Sequence, residues 1–157
     1  MKTGPALFLM WFMMAVVFLS CDPRRVIDDY HTIPGNSWAA DSAQTFSFSI
    51  ARTNQNNNIY FNVRNDRSYP FSNLWLFVTI VPPSGKAIVD TVQVTLATPA
   101  GKWLGRGISG TYDNQFIYRR NVYFPESGVY AIHIKHGMRP ADLKGITDIG
   151  IRIEKVN

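Results

Sequence analysis

Cys21 is the only cysteine in the chain, and its position sets the chemistry open to it. Lys2 precedes an unbroken apolar run from Ala6 to Leu19, which ends at Ser20 directly before that thiol. A short positive region, an apolar stretch and a small residue at the cut make a secretory signal. At roughly 14 residues the run spans about 21 Å as helix, too short for a hydrocarbon core of about 30 Å. A lone cysteine at such a cut is the lipid acceptor of a bacterial lipoprotein. Its sulfur takes a diacylglyceryl thioether and the preceding residues are removed, although Phe18 and Leu19 depart from the usual Leu and Ala or Ser. Each acyl methylene buried in the bilayer adds about 0.8 kcal/mol of anchoring.

The other groups able to do chemistry are scattered. His133 and His136 lie three apart, so in extended backbone they face opposite ways, and His31 is remote in sequence. No HExxH, nucleophile elbow or Walker loop occurs. The segment Gly101-Lys102-Trp103-Leu104-Gly105-Arg106-Gly107 has the glycines of a phosphate loop but lacks the strand-to-helix setting, and reads as a tight turn over a packed aromatic. The aspartates show no calcium-loop spacing, and no carboxylate pair stands out for glycoside hydrolysis. The expectation is a protein with no catalytic residues, no metal and no cofactor. The aromatics are abundant, with four Trp, seven Tyr and ten Phe. Tyr69, Trp75 and Trp103 serve either a core or an exposed stacking face, and Tyr60 and Tyr130 are expected half-exposed near strand centres.

What must position these groups is a set of strands. Phe46, Phe48 and Ile50 alternate with serines, and Ile59, Phe61 and Val63 repeat the pattern beyond the run Asn54-Gln55-Asn56-Asn57-Asn58. The two segments read as a hairpin. Residues 74–81 are almost wholly apolar and predict a central strand covered on both faces, with Val92, Val94 and Leu96 following after the Pro82-Pro83-Ser84-Gly85 turn. Residues 115–124 and 129–135 read as a second hairpin around Pro125-Glu126-Ser127-Gly128. The closing strand 147–155 turns Ile149, Ile151 and Ile153 inward, and Pro140 to Leu143 suggests one short helical turn. Turn signals between about eight short strands predict an all-β fold, an antiparallel β-sandwich of jelly-roll-like type.

The organisation that follows is a signal peptide over 1–20, then the lipidated cysteine, a short tether and a first edge segment over 21–40, then the sandwich over 41–157. Removing twenty of 157 residues leaves 137, one domain's worth, with no second cysteine for a disulfide. The formal charge of +5 loses only Lys2. Such mild basicity in an exported chain argues against nucleic acid, while Arg24 and Arg25 sit where anionic headgroups would lie.

Several blocks together resemble the GldH gliding-motility lipoprotein family of the Bacteroidetes. They are Cys21-Asp22, Trp38, Tyr69-Pro70-Phe71-Ser72-Asn73-Leu74, Asp90-Thr91-Val92, Leu96-Ala97, Gly101-Lys102-Trp103-Leu104-Gly105, Phe124-Pro125-Glu126-Ser127-Gly128-Val129-Tyr130, Met138-Arg139 and Leu143 to Gly150. One departure is Lys135-His136-Gly137 before Met138, where the family tends to carry Gln-Ala. The resemblance implies a non-enzymatic cell-envelope lipoprotein needed for gliding in motile members and tied to type IX secretion. It implies docking onto other envelope proteins of those systems, with Met138, Arg139 and His136 as candidate contacts. Arg139 is expected to pair with Asp142, Asp148 or a partner carboxylate. A carbohydrate-binding sandwich is the alternative reading, on the strength of the aromatics. The sequence after Cys21, Asp22-Pro23-Arg24-Arg25, lacks an acidic export cluster, so a periplasm-facing anchor is expected.

Overall fold

The structure is a computed structural model that describes residues 22–156; the signal peptide and Cys21 lie outside them. The described chain forms eleven strands: β1 (Arg25–Thr32), β2 (Ser37–Ala39), β3 (Gln44–Ile50), β4 (Asn56–Asp66), β5 (Asn73–Val81), β6 (Ile88–Thr95), β7 (Arg106–Ile108), β8 (Thr111–Tyr123), β9 (Gly128–His136), β10 (Asp142–Lys144) and β11 (Ile146–Lys155). A five-stranded sheet runs β1-β11-β4-β8-β7, a four-stranded sheet runs β3-β9-β5-β6, and β10 pairs with β2 as a ribbon. All pairings are antiparallel. The three strands beyond the expected eight, β2, β7 and β10, are three residues long, too short to carry a readable alternation.

The core follows from strand alternation. Ile149, Ile151 and Ile153 of β11 sit opposite Val63, Phe61 and Ile59 of β4, and all six are buried. From the other sheet, Phe46 and Phe48 pair with Ile132 and Tyr130, and Leu74 with Val94. Their side chains meet the first set across the sandwich to form one cluster. Tyr130 is therefore a core residue, only 2% exposed, and not the half-exposed side chain expected. Its OH accepts the Glu126 N–H and donates to the Glu126 carbonyl, which lets the hydroxyl be buried.

Neither of two expected hairpins forms. β3 pairs with β9 and β4 with β8 and β11, so residues 51–55 carry the chain from one sheet to the other. Residues 124–127 likewise carry β8 over to β9. Periodicity shows that two strands each bury one face, but not whether they share a sheet. A five-residue link spans about 16 Å, more than the roughly 10 Å between packed sheets. The β5–β6 hairpin does form. The closing strand is as expected. β5 lies inside its sheet but is covered on one face only, with Trp75 and Phe77 turned outward. Pro140 to Leu143 makes no helical turn, because Asp142 and Leu143 pair with Ala39 and Trp38. Among the described residues the one turn of 3-10 helix is at Pro34–Asn36.

β1 is an edge strand held by β11 and by one arginine. Arg152 Nη2 donates to Asp22 at 2.6 Å, Nη1 to Asp28 at 2.7 Å and Nε to Glu154 at 3.1 Å. Burial would lower the Arg152 pKa, but hydrogen bonds to Asp28, Asp22 and Glu154 raise it overall. The Arg24 backbone N–H and then Arg152 hold the Asp22 carboxyl below its usual value.

Two predictions follow from this packing. Ile151→Ala removes a side chain that is 0% exposed and should cost about 2–5 kcal/mol by urea unfolding, whereas exposed Val129→Ala should stay within about 0.5 kcal/mol. The depressed Asp22 pKa means that its contribution is fully present above the unfolded carboxylate value and is lost as pH falls through the folded one. Arg152→Met should thus unfold earlier at neutral pH and show a shallower loss of stability on acidification than the unsubstituted protein. Parallel pH-dependent slopes would contradict the clamp.

Candidate functional site

The two outer faces of the sandwich differ in kind. On the five-stranded sheet, polar and charged groups cover the surface: the Arg64 guanidinium lies 4.3 Å over the Tyr30 ring and 3.5 Å from Asp113, and Tyr60 donates to Glu154. On the four-stranded sheet two large aromatics stand among polar cross-strand neighbours, Trp75 opposite Gln93 and Phe77 between Thr91 and Lys135. Trp75 is 39% and Phe77 49% exposed. They stand two residues apart on β5, hence on one face.

The turn after β9 completes the patch. The Gly137 N–H donates to the Trp75 carbonyl at 2.7 Å, and the Trp75 N–H approaches Met138 Sδ at 3.4 Å. A Cβ on Gly137 would stand 3.0 Å from the Phe77 ring, so only glycine lets that ring lie against the turn without adjustment. Trp75, Met138 and Arg139 line a shallow depression of about 500 Å³ together with Phe71 and Asn73. Arg139 is exposed and makes no ion pair with Asp142 or Asp148 among the described residues; Asp148 instead accepts from Thr32 and Thr147.

His136 does not contact solvent as a surface residue would. It is 2% exposed, on the core side of β9, with its ring edge-on to Trp38 at 5.4 Å. Nδ1 accepts the Met138 N–H at 3.3 Å, so Nε2 carries the proton and donates to the Trp38 carbonyl at 3.0 Å. Burial lowers the His136 pKa, which keeps the ring in this neutral form. Its role is to hold the Met138 turn from beneath.

Tyr69 and Trp103 are placed away from the patch. Tyr69 is 3% exposed, donates its OH to the Asn73 carbonyl at 2.7 Å, and burial pushes its pKa up. Trp103 is half-buried between Tyr69 and Tyr112, closing the same end of the core, and the backbone around it forms a bridge to Ala97. The glycine-rich segment is a turn that leads into β7, not into a helix. Of the sequence candidates, Trp75, Met138 and Arg139 therefore come together, while His136 supports them and Tyr69 and Trp103 do not join. Phe77 is hidden in the sequence because residues 74–81 are apolar on both faces, and Phe71 because it lies in the turn block before β5, which reads as structural.

The histidines are dispersed: His31 stacks on Phe46 at 4.3 Å, and His133 shares a 2.8 Å hydrogen bond with Thr45 on the outer face. Among the described residues no group of three His, Cys, Asp or Glu is placed to hold a metal ion; Asp22, Asp28 and Glu154 gather on Arg152 instead. The arrangement offers a small apolar surface with two cations beside it, Arg139 on the turn and Lys135 across from Phe77 on β9.

The pKa direction of His136 gives a prediction. Unfolded chains bind a proton here below about pH 6.5 while the folded chain resists it, so stability should fall as pH drops through that range. Urea unfolding at neutral and mildly acid pH should show a smaller drop in His136→Gln than in the unsubstituted protein. An equal drop would assign the pH dependence to other groups.

The family model described as GldH lipoprotein matches residues 25–153. The protein named "Gliding motility lipoprotein GldH homolog" of Christiangramia forsetii is 36% identical over 162 residues, covering 99% of this chain and 98% of the relative. "Gliding motility lipoprotein GldH" of Flavobacterium johnsoniae is 36% identical over 148 residues, covering 90% of this chain and 91% of the relative. Among solved structures, dimeric latent PorU from Porphyromonas gingivalis overlaps with a TM-score of 0.37 at 10% identity, covering 87% of this chain and 13% of that one. The family match runs from the first strand into the last, and the named relatives are matched over nearly their whole length: the chain belongs to the GldH lipoprotein family.

Proposed function

We propose that this protein is a non-enzymatic, lipid-anchored envelope protein that supports gliding motility, and type IX secretion associated with it, by docking onto another envelope protein. Its anchor is Cys21, and the domain faces the periplasm. The observation that carries the docking role is the pair Trp75 and Phe77, exposed side by side and backed by the Met138–Arg139 turn. Large aromatics and arginine are the residue types that dominate binding energy at protein interfaces, and methionine adapts its thioether to a partner surface. Gln93, Thr91 and Lys135, their cross-strand neighbours, form the polar rim such a patch needs. The names of the relatives, both gliding-motility lipoproteins, point to the process.

The same two aromatics support a second reading, since neighbouring exposed rings on a flat sheet also stack sugar rings.

The double substitution Trp75→Ser, Phe77→Ser separates these. Both side chains point outward, so the fold should survive and circular dichroism should be unchanged. Loss of two central aromatics should weaken partner capture by in-cell crosslinking at least about thirtyfold, equivalent to roughly 2 kcal/mol. Gliding, or export of type IX cargo, should fall with it. Unaltered crosslinks and motility would sink the docking role, and loss of polysaccharide retention in their place would move the patch to sugar binding. Protease added to intact cells should leave the protein whole if it faces the periplasm.

A further inference from the structure

The strand register gathers one end of the sandwich around the point where the chain leaves toward Cys21. Arg25 lies opposite Glu154, Glu154 opposite Asn58, and Asn57 opposite Val122, so the start of β1 shares an end with the close of β11 and β8. In the other sheet Ile50 faces Gly128 and Ile80 faces Ile88. Arg25 and Val26 share a depression with Ser49, Ile50 and Arg52, which joins the two sheets at this same end. Asp22 is one residue, about 3.8 Å, from Cys21, and Arg152 fixes its side chain to the sheet. A lipid on Cys21 therefore leaves the domain without a stalk.

What this end exposes is unusual for a surface meant for water. Ile88 is 58%, Val89 72%, Tyr123 56% and Val129 61% exposed. A cleft of about 470 Å³ opens there between the sheets, walled by Ile80, Ile88, Val122 and Tyr123. The charges around it are of both signs, with cations in excess. Arg152 offsets one of the three carboxylates that it holds, Asp22, Asp28 and Glu154; Arg119 offsets Asp90, and Glu126 keeps its charge while accepting from the Ser84 N–H and hydroxyl. Arg24, Arg25, Arg52, Lys86 and Lys155 are exposed and have no carboxylate partner among the described residues. The opposite end mixes signs, with Asp41, Asp66 and Asp142 near Arg67 and Lys144.

We propose that this end of the domain lies on the bilayer, its apolar tips among the headgroups and its free cations on anionic lipid. The inference rests on Cys21 being the lipid anchor. Apolar side chains interleaved with Lys and Arg have the composition of interfacial membrane contacts, and each cation near an anionic leaflet favours contact by about fivefold. The anchor supplies the proximity, because it delivers this end and no other to the membrane.

The test uses the processed, lipidated protein reconstituted into vesicles of equal parts phosphatidylcholine and phosphatidylglycerol, with pure phosphatidylcholine for comparison. An acylated Cys21 is blocked, so a single added thiol is the only site for an environment-sensitive dye. Val129→Cys and Ile88→Cys report on the anchored end, and Leu104→Cys, on the segment leading into β7, reports on the far side. All three positions are exposed, so the labels probe contact without disturbing the core. The expected result is blue-shifted emission and several-fold quenching by nitroxide lipid at 129 and 88, with little at 104, stronger in the anionic vesicles. Equal quenching at all three positions, or none at any, overturns the proposal, as does shielding of 129 from aqueous iodide without quenching by nitroxide lipid, which would assign the end to a protein. If the unsubstituted protein takes the dye at Cys21 and fails to float with vesicles, the anchor reading has failed and the membrane contact falls with it. Flotation with a blocked Cys21 but no quenching overturns the contact alone.

Discussion

The last strand of the chain occupies a central place in the five-stranded sheet, and the rest of the structure depends on that insertion. β11 lies between β1 and β4, so the N-terminal strand has no partner until the C-terminal residues arrive. Closing a loop of roughly 120 residues costs about 4 kcal/mol in chain entropy. Ile149, Ile151 and Ile153, each essentially fully buried, return about 2–3 kcal/mol apiece and so outweigh it. With one cysteine in the whole sequence, no intramolecular crosslink can share that task. The same strand supplies Arg152 to the carboxylates at the start of β1, and the Lys155 N–H to the Arg24 carbonyl. Core, edge strand and the root of the anchor are thus fixed by one element.

The exposed patch has its own physical logic. β5 is apolar on both faces, yet only the inner one is needed for the core. Leaving Trp75 and Phe77 in water forgoes burial that a threonine or serine, as on the neighbouring strands, would not have missed. The backbone around them is arranged to keep that exposure in one geometry. Gly137 makes room for the Phe77 ring, and His136 holds the following turn by accepting the Met138 N–H. A protonated His136 would lose that acceptor, so burial, which keeps the ring neutral, also keeps the turn in place. Support of this kind from beneath fixes the geometry of the exposed side chains.

Much of the strand pattern was legible in the sequence, because alternation at period two is written residue by residue. The closing strand, with its inward isoleucines, and the β5–β6 hairpin around Pro82-Pro83-Ser84-Gly85 are instances. What was not legible was partnership. Phe46 to Ile50 and Ile59 to Val63 present the same pattern whether they pair with each other or face each other across the core, and only the long-range register of β9 and β11 decides. The two-sided apolar character of residues 74–81 concealed the site for a related reason: hydrophobicity reports what a residue prefers, not what the other elements are free to cover. The departure of Lys135-His136-Gly137 from the family pattern makes His136 a candidate contact, but the side chain is buried. The three-residue pair β2–β10, which brings Trp38 over it, is too short to announce itself.

The antiparallel register also orients the patch relative to the anchor. β5 runs from Asn73 at the end sealed by Tyr69 and Trp38 to Val81 at the end where the chain leaves toward Cys21. Trp75 therefore lies six residues up the strand, about 20 Å from the anchored end. With Asp22 held against the sheet, that separation is set by the β-scaffold and not by a flexible linker. A patch on a freely swinging tether samples many distances from the bilayer and loses orientational freedom on binding. One carried at a fixed height has surrendered that freedom in folding, so partners standing on the same membrane meet it already aligned. If Cys21 anchors the chain and the patch docks as proposed, the sheet holds the two apart at a fixed distance.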